Sequence, residues 1–152
     1  MEIRRATGAD AEGVYELNCL FNGEGWTTLE LTRQSLESNA GEIVLVAVDG
    51  EKYIGFCCCA TIRSVCYAEP YCELTEIYVR EEYRRSGVGT ALTTGMESEC
   101  RRLGINHFHL AIAFDNGNSR GMSEKLDYTK TAYFYEKSTS DIWITPPFDS
   151  SI

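Results

Sequence analysis

The sequence predicts a mixed α/β fold with a hairpin-rich first half, within a chain of 152 residues. A fully apolar run at 43–48 is followed by the turn signal Asp49-Gly50 and by a second strand-like run at 53–63, a pattern typical of an antiparallel hairpin. Further along, the β-branched and aromatic segment 74–79 leads through a glycine loop into helical periodicity. We therefore expect the order β-α-α-β-β-β-α-β-α-β, with or without one further strand, rather than a doubly wound parallel repeat.

The first forty residues predict a short strand and two helices. The strand covers 3–5, and the sequence from Thr7 to Asp10 resembles a capping box that starts a helix running to about Leu20. Residues 22–26 interrupt the helical pattern, and a second helix, with a thin apolar face, is predicted over 29–38.

The second half predicts further elements around a central strand at 74–79, which follows a loop at Glu69-Pro70. After the central strand comes a helix that carries Ala91, Leu92, Met96 and Leu103. It is followed by a strand at 107–114, a short helix ending near Leu126, a strand at 129–136 and a last strand at 142–144. Residues 146–152 are expected to fray. No repeat or linker interrupts the chain, so a single domain over 1–152 is predicted.

Composition narrows the class of protein. An apolar content of 43% is ordinary for a globular chain, and no segment resembles a secretory signal or a membrane span, so we expect a cytoplasmic protein. The net charge of −9 disfavours nucleic acid and anionic membrane as partners. It is compatible with a cationic substrate.

Seven cysteines raise the question of disulfides or a metal. Their number is odd, C-x-x-C is absent, and the consecutive residues 57–59 alternate between the two faces of a strand, so they cannot form one tetrahedral site. His107 and His109 have no third ligand at a suitable spacing. We therefore predict small buried thiols and no metal site.

A strand, a glycine loop and a helix in succession can form an anion site. The first N–H groups of a helix have no internal acceptors, and Gly87 and Gly89 allow a phosphate to approach the backbone. Arg84 and Arg85 add guanidinium donors. Two glycines alone could also serve a simple helix start, and the stretch contains neither a P-loop nor G-x-G-x-x-G.

The wider pattern resembles the acyl-CoA signature of the GNAT N-acetyltransferase superfamily. Arg84-Arg85-Ser86-Gly87-Val88-Gly89 matches its Arg-x-x-Gly-x-Gly directly after a strand, and 116–128 is similar to its downstream Asn-x-x-Ala-x-x-x-Tyr-x-Lys-x-Gly-Phe. The resemblance implies an acetyl-CoA-dependent acyltransferase that can form a homodimer. Its implied fold is a mostly antiparallel, mixed sheet of six to seven strands with a central splay, flanked by about four helices.

The resemblance also assigns the cofactor contacts. Ile77, Tyr78 and Val79 would border the pantetheine arm, with backbone groups of Ile77 and Val79 pairing with it and the Val79 N–H polarising the thioester carbonyl. Asn116 and Ser119 would flank the pantetheine and phosphates. The residues around the pyrophosphate would be Arg84, Arg85, Ser86, Gly87, Val88, Gly89 and Thr90.

Acetyl transfer requires a neutral amine, so a base near the thioester is expected. Glu73 and Glu76 are the candidates, the alternative being two solvated carboxylates on opposite faces of the strand. Two residues depart from the family pattern. Ser123 stands where many members have the tyrosine that protonates the leaving thiolate, and its shorter hydroxyl is a candidate for this catalytic role, which Tyr133 or Tyr135 could take instead. Asp127 replaces a helix-ending glycine.

The family places acceptor specificity in the loops corresponding to 22–26 and 67–71. Both combine acids with aromatic residues, which suits a small cationic amine such as a polyamine or an aminoglycoside, with Glu24, Trp26 and Tyr71 as candidate contacts. Ordinary acidic loops would look the same. The alternatives are an acyl-CoA-binding sensor that has lost catalysis, or an enzyme acting on protein N-termini or lysines.

Overall fold

The structure, a computed structural model, describes residues 1–38, 41–113, 115–133 and 135. The chain divides into two compact units, Met1–Leu110 and Ala111–Ile152. Among the described residues, no helix is long and apolar enough to cross a membrane. The prediction of one domain over 1–152 stays a prediction.

The first unit contains a five-stranded sheet and three α-helices in its described residues. Short 3₁₀ turns at Gly8–Asp10 and Glu81–Tyr83 precede the first and third helices. In chain order the elements are β1 (Glu2–Arg5), α1 (Ala11–Asn22), α2 (Leu29–Ser38), β2 (Glu42–Asp49), β3 (Lys52–Ile62), β4 (Tyr71–Val79), α3 (Val88–Arg102) and β5 (Phe108–Leu110).

The strands lie side by side in chain order, β1 to β5. The first four pair antiparallel, and β5 pairs parallel to β4. This confirms the predicted mixed, mostly antiparallel sheet.

Two apolar clusters cover the faces of the sheet. One packs α3, through Leu92 and Met96, against residues such as Leu45 and Cys57. The other packs α1, through Val14 and Leu17, against the opposite face. The three central strands, β2, β3 and β4, supply both clusters, because alternate side chains point to opposite faces.

The entry into α1 is fixed by Asp10, whose side chain is buried. Its carboxylate accepts two hydrogen bonds from Arg4, at 2.6 and 2.9 Å, one from the Tyr53 hydroxyl at 2.6 Å, and one from the Thr7 N–H at 2.8 Å. This is the acid that the capping-box pattern of the sequence indicates. The bonds tie the start of α1 to both β1 and β3.

The second unit contains the helix α4 (Gly117–Lys125) in its described residues. The predicted strand at 107–114 is shorter than expected and covers only Phe108–Leu110. Residues 129–133 and 135 belong to no strand and are exposed, so the half-buried surface that favours aromatic residues in strands is lacking there. The rest of that predicted strand, the predicted strand at 142–144 and the tail at 146–152 lie outside the described residues.

Candidate functional site

The central strand β4 contains one extra residue, Thr75. Opposite it in β3, Cys58 pairs with Glu76 and the next residue, Cys59, pairs with Leu74, so Thr75 has no partner in the register. Such a bulge reverses the alternation of side chains along the strand. Accordingly Cys72 and Leu74 contact the α3 cluster before the bulge, whereas Ile77 and Val79 contact it afterwards.

The bulge brings the two candidate bases onto one face. Without it, residues three apart would point to opposite sides of the sheet; with it, both Glu73 and Glu76 point to the α1 side, opposite Ala60 and Cys58. The alternative of carboxylates on opposite faces is therefore wrong. The Thr75 hydroxyl also donates a short hydrogen bond to the Glu76 carboxylate.

Beyond the bulge, β4 exposes backbone groups along the edge away from β3. Arg80 donates its N–H to the Ile54 carbonyl at 2.9 Å, and in an antiparallel ladder such pairs recur at every second residue. By that alternation the N–H and C=O groups of Tyr78 face β3, whereas those of Ile77 and Val79 face the other edge. The Arg84 Nε donates to the Val79 carbonyl on that edge at 3.0 Å.

The pairing between β4 and β5 is short. It covers Cys72, Glu73 and Leu74 against Phe108, His109 and Leu110 and ends there. Within the first unit's described residues, β4 from Thr75 onward therefore pairs with β3 alone. The predicted splay beyond this point stays a prediction.

The loop that follows β4 has a conformation suited to an anion. Arg85 and Gly87 both take left-handed backbone angles, with φ of 60° and 91°, and Gly87 caps α3. The first hydrogen bond of that helix runs from the Ala91 N–H to the Gly87 carbonyl at 2.9 Å. The N–H groups of Val88, Gly89 and Thr90 precede this pattern and have no acceptor within the helix.

Side chains of the loop support its shape. The Ser86 hydroxyl donates to the Tyr83 carbonyl at 2.5 Å, and the Arg84 guanidinium lies 5.8 Å from the centre of the Tyr78 ring. Tyr78 is buried in the cluster on the α1 face. The sequence prediction gave Arg84 a phosphate contact; the described contacts also give it a role in fixing the loop to β4.

A pocket of about 230 Å³ lies between α1, α2 and the sheet. It contains one of the candidate bases, Glu76, together with a second carboxylate, Glu42. The remaining lining is Val14, Asn18, Asn22, Thr27, Leu31, Thr32, Ser35, Leu36, Val44, Phe56 and Cys58.

The charges of the pocket are concentrated on the sheet. A carboxylate oxygen of Glu42, one of Glu76 and the Cys58 sulfur all lie within 4.8 Å of one another. Burial, and then the two neighbouring carboxylates, raise the pKa of Cys58 well above its usual value, so this thiol stays neutral. The arrangement offers negative charge to an ammonium group.

The second unit holds three further predicted residues. The Asn116 side chain caps α4 by accepting from the Ser119 N–H at 2.9 Å, and the buried Ser123 hydroxyl donates to the Ser119 carbonyl at 2.9 Å. Asp127, which is predicted to stand where the family pattern has glycine, takes a left-handed φ of 63°. Asp is one of the few residues that tolerate this conformation.

The predicted acceptor contacts lie outside the pocket lining. Glu24 and Trp26 are exposed in the loop after α1, and the Tyr71 ring packs on His109 with 4.6 Å between centroids. Tyr133 and Tyr135, considered as substitutes for the family tyrosine, are exposed. Their role stays a prediction.

Sequence reasoning missed most of the pocket. Asn18 and Asn22 lie one turn apart on α1, Ser35 lies on α2 and Glu42 begins β2, so no local motif joins them. One signal was available. Glu42, Val44 and Val46 are every second residue of a strand, so their side chains share one face of the sheet. Once Val44 and Val46 are known to face α1, Glu42 must face it too.

The mixed five-stranded sheet with helices on both faces is the architecture expected of an acetyltransferase fold. The sequence model described as the acetyltransferase (GNAT) family matches residues 11–128. The chain belongs to this family, and it is an acyltransferase. Members of the family use acetyl-CoA as co-substrate.

Several solved structures share the fold. An aminoglycoside acetyltransferase from an uncultured soil metagenomic sample, in complex with sisomicin, is 16% identical over 91% of this chain and 96% of its own, with a TM-score of 0.76. An aminoglycoside antibiotic 6'-N-acetyltransferase from Acinetobacter haemolyticus is 24% identical over 92% and 99%, with a TM-score of 0.76. A ribosomal-protein-alanine N-acetyltransferase from Brucella melitensis biovar Abortus 2308 is 14% identical over 91% and 99%, with a TM-score of 0.77. A comparison with curated proteins finds no match.

Proposed function

We propose that the protein transfers the acetyl group of acetyl-CoA to the primary amine of a small cationic acceptor. One observation carries the proposal. The same bulged strand presents Glu76 to an acidic pocket on one face and the backbone groups of Ile77 and Val79 along its edge. An acceptor amine and an extended cofactor arm can therefore be held by neighbouring residues.

The loop after β4 fits the pyrophosphate of acetyl-CoA. Its left-handed residues, Arg85 and Gly87, direct backbone N–H groups into a concave anion site, and α3 adds the positive end of its dipole. A side chain at Gly87 would strain the turn. The family pattern assigns the same cofactor to Asn116 and Ser119 of the second unit.

The cofactor supplies the acetyl group as a thioester. The protein must convert the acceptor's ammonium group into a neutral amine. An alkylammonium group has a pKa near 10.4, so a proton has to be removed before attack. Glu76 accepts that proton in our proposal, directly or through a water. Glu73, on the same face but outside the pocket lining, is the second candidate.

The lining favours an amino sugar ring over a linear polyamine. Amide and hydroxyl groups from Asn18, Asn22, Thr27, Thr32 and Ser35 can bond ring hydroxyls, while Glu42 and Glu76 attract ammonium groups. Apolar side chains complete the walls, as in most small-molecule sites. The aminoglycoside acetyltransferases among the similar structures support this choice.

The first test is acetyl-CoA binding by calorimetry, followed by an amine panel read by mass spectrometry. A mass reading avoids thiol reagents, with which the chain's seven cysteines would react. We expect acetylation of amino sugars in preference to linear polyamines. The protein is first freed of any copurified cofactor. If it is folded and still does not bind acetyl-CoA, the proposal is wrong.

The Glu76→Gln variant tests the base. It should lower kcat/KM for the amine about 10²–10⁴-fold, because it keeps the shape of the pocket but removes proton acceptance. Acetyl-CoA affinity should not change. Glu51→Gln, at an exposed turn, is the matched control. Full activity of Glu76→Gln would show that Glu73 or water accepts the proton instead.

A binding-only function is the second candidate, and Ser123 favours it. This residue stands where many relatives have the acid tyrosine, and its hydroxyl proton is used in the bond to the Ser119 carbonyl. A thiolate leaving group needs little help, since thiols titrate near 8.5, so catalysis survives this loss in our proposal. Tight acetyl-CoA binding with no acetylated product across the panel would favour the sensor.

A further inference from the structure

Three buried cysteines from different elements converge beneath α3. Cys59 lies on β3, Cys72 on β4 and Cys100 near the end of α3, and their sulfurs all lie within 4.8 Å of one another. Each side chain is at most 1% exposed. Cys59 and Cys72 are 13 positions apart in the sequence and Cys72 and Cys100 are 28 apart, so no local motif indicates the cluster.

Within the cluster, one pair is much closer than the rest. The Sγ atoms of Cys72 and Cys100 are 2.6 Å apart, whereas those of Cys59 and Cys100 are 3.9 Å apart. Nonbonded heavy atoms rest about 3.5–4.0 Å apart, and a disulfide is about 2.05 Å long. Cys72 and Cys100 are free thiols in direct contact, with the Cys72 S–H donating to the Cys100 sulfur, so a bond between them requires only a small movement of the side chains.

A metal does not fit this spacing. Two thiolates on a tetrahedral zinc at about 2.3 Å each are about 3.8 Å apart, and a structural zinc needs four ligands. The cluster brings three sulfurs together, two of them much closer than that. The geometry favours a bond between two sulfurs over an ion between three.

We propose that Cys72 and Cys100 form a reversible disulfide that joins the start of β4 to the end of α3. With a peroxide as the oxidant, one thiolate attacks the O–O bond to give a sulfenic acid and water. The second thiol then displaces the sulfenic oxygen as water, forming the S–S bond. In total the two thiols lose two electrons and two protons, and one peroxide becomes two waters.

The burial of the pair determines how it reacts. Loss of solvent raises the pKa of Cys100, so its thiol is protonated at neutral pH and reacts slowly. Cys66 is exposed and should be oxidised or alkylated first. The disulfide thus forms more slowly than modification of the surface thiol.

Tryptic mapping can identify the bond. Cleavage after arginine and lysine yields peptides 53–63, 64–80 and 86–101, which contain residues 57–59, Cys66 with Cys72, and Cys100 respectively. The Cys66→Ser variant removes the ambiguity in the second peptide. This full-length variant is treated with hydrogen peroxide, its remaining thiols are blocked in denaturant, and it is then digested without reductant.

We expect a 64–80 to 86–101 cross-link that dithiothreitol releases. Oxidation should also raise Tm by about 5–10 °C, since closing a loop of this size restricts the unfolded chain. Adding Cys72→Ala should abolish both effects, and adding Cys19→Ser should abolish neither. Recovery of both peptides as separately blocked species, or a cross-link to 53–63 instead, would overturn the proposal.

Discussion

Asp10 is the buried carboxylate on which the start of α1 depends. Hydrogen bonds from Arg4, which have the largest effect, and from Tyr53 and Thr7 hold the pKa of Asp10 well below the usual 3.8. A carboxyl with a lowered folded pKa stabilises the protein above its unfolded pKa and loses that contribution as pH falls. The stabilising effect is therefore complete above about pH 5 and declines as pH falls below about 4.

Asp10→Asn should lower the free energy of unfolding by about 1–3 kcal/mol at pH 7, because a buried carboxylate that pairs with the half-exposed Arg4 guanidinium is replaced by a neutral amide. Urea unfolding measures this difference. The loss should shrink as pH falls below about 4, because the unfolded wild type then takes up a proton at Asp10 while the folded carboxylate keeps its charge. Asp49→Asn, which alters a half-exposed pair with the N-terminal amine, should cost under about 0.5 kcal/mol. An equal loss at pH 7 and pH 2 would contradict the electrostatic account.

Single residues show where sequence reasoning succeeds and where it fails. Glu76 could be singled out because it lies within a motif-bearing strand, and Gly87 because it belongs to the Arg-x-x-Gly-x-Gly pattern; their roles stay predictions. Glu42 was not, since only the fold brings it within reach of Glu76. The same limit applies to Cys59, Cys72 and Cys100, whose approach depends on three separate elements.

At the scale of elements, the register of β4 is set by one residue. Deleting Thr75 joins Leu74 directly to Glu76, whose partners Cys59 and Cys58 are already adjacent in β3, so the strand becomes regular and Glu76 keeps its side of the sheet. We expect a loss of only about 1–2 kcal/mol, measured by urea unfolding, because the strand loses the Thr75 hydroxyl bonds but buries no charge. Thr75→Val keeps the bulge and should cost about 1 kcal/mol for the lost hydroxyl bonds. A loss of more than about 3 kcal/mol on deletion would show that the bulge itself is needed for folding.

The turn into α3 gives a second element-scale prediction. Gly87→Ala places a side chain at φ 91° and should cost about 1–2 kcal/mol while weakening acetyl-CoA binding, as calorimetry can measure. Gly121→Ala, inside α4 with open space around it, should instead be neutral or stabilise by about 0.5–1 kcal/mol. Unchanged cofactor affinity in Gly87→Ala would mean that this turn does not contact the pyrophosphate.

Some element boundaries were predictable, even for a helix with a thin apolar face. The second helix was predicted over 29–38, and α2 has the same bounds. The start of β4 at Tyr71 was missed because the preceding residues resemble a loop. The length of β5 was overestimated, since alternating residues at 107–114 do not reveal where a parallel partner ends.

At the scale of the molecule, the net charge of −9 should aid the capture of cationic acceptors. For an acceptor with several ammonium groups, we expect kcat/KM to fall about 3–10-fold between low and high salt, because salt screens long-range attraction. A monoamine acceptor should respond much less. Equal responses would show that only local contacts in the pocket matter.

The sequence predicted the fold class and the family well because both rest on local patterns of periodicity and glycine placement. It predicted the pocket poorly because that site is assembled from α1, α2 and three strands. The contribution of the second unit, including Ser123, stays a prediction.

The bulge at Thr75 also fixes the pattern of mutational tolerance along β4. In a saturation scan, apolar side chains should be required at the even positions 72 and 74 and then at the odd positions 77 and 79. The phase of tolerance thus inverts within a single strand. A relative without the bulge has one residue fewer here. If an alignment places no gap at Thr75, it matches pocket-facing positions of one protein with core positions of the other for the rest of the strand.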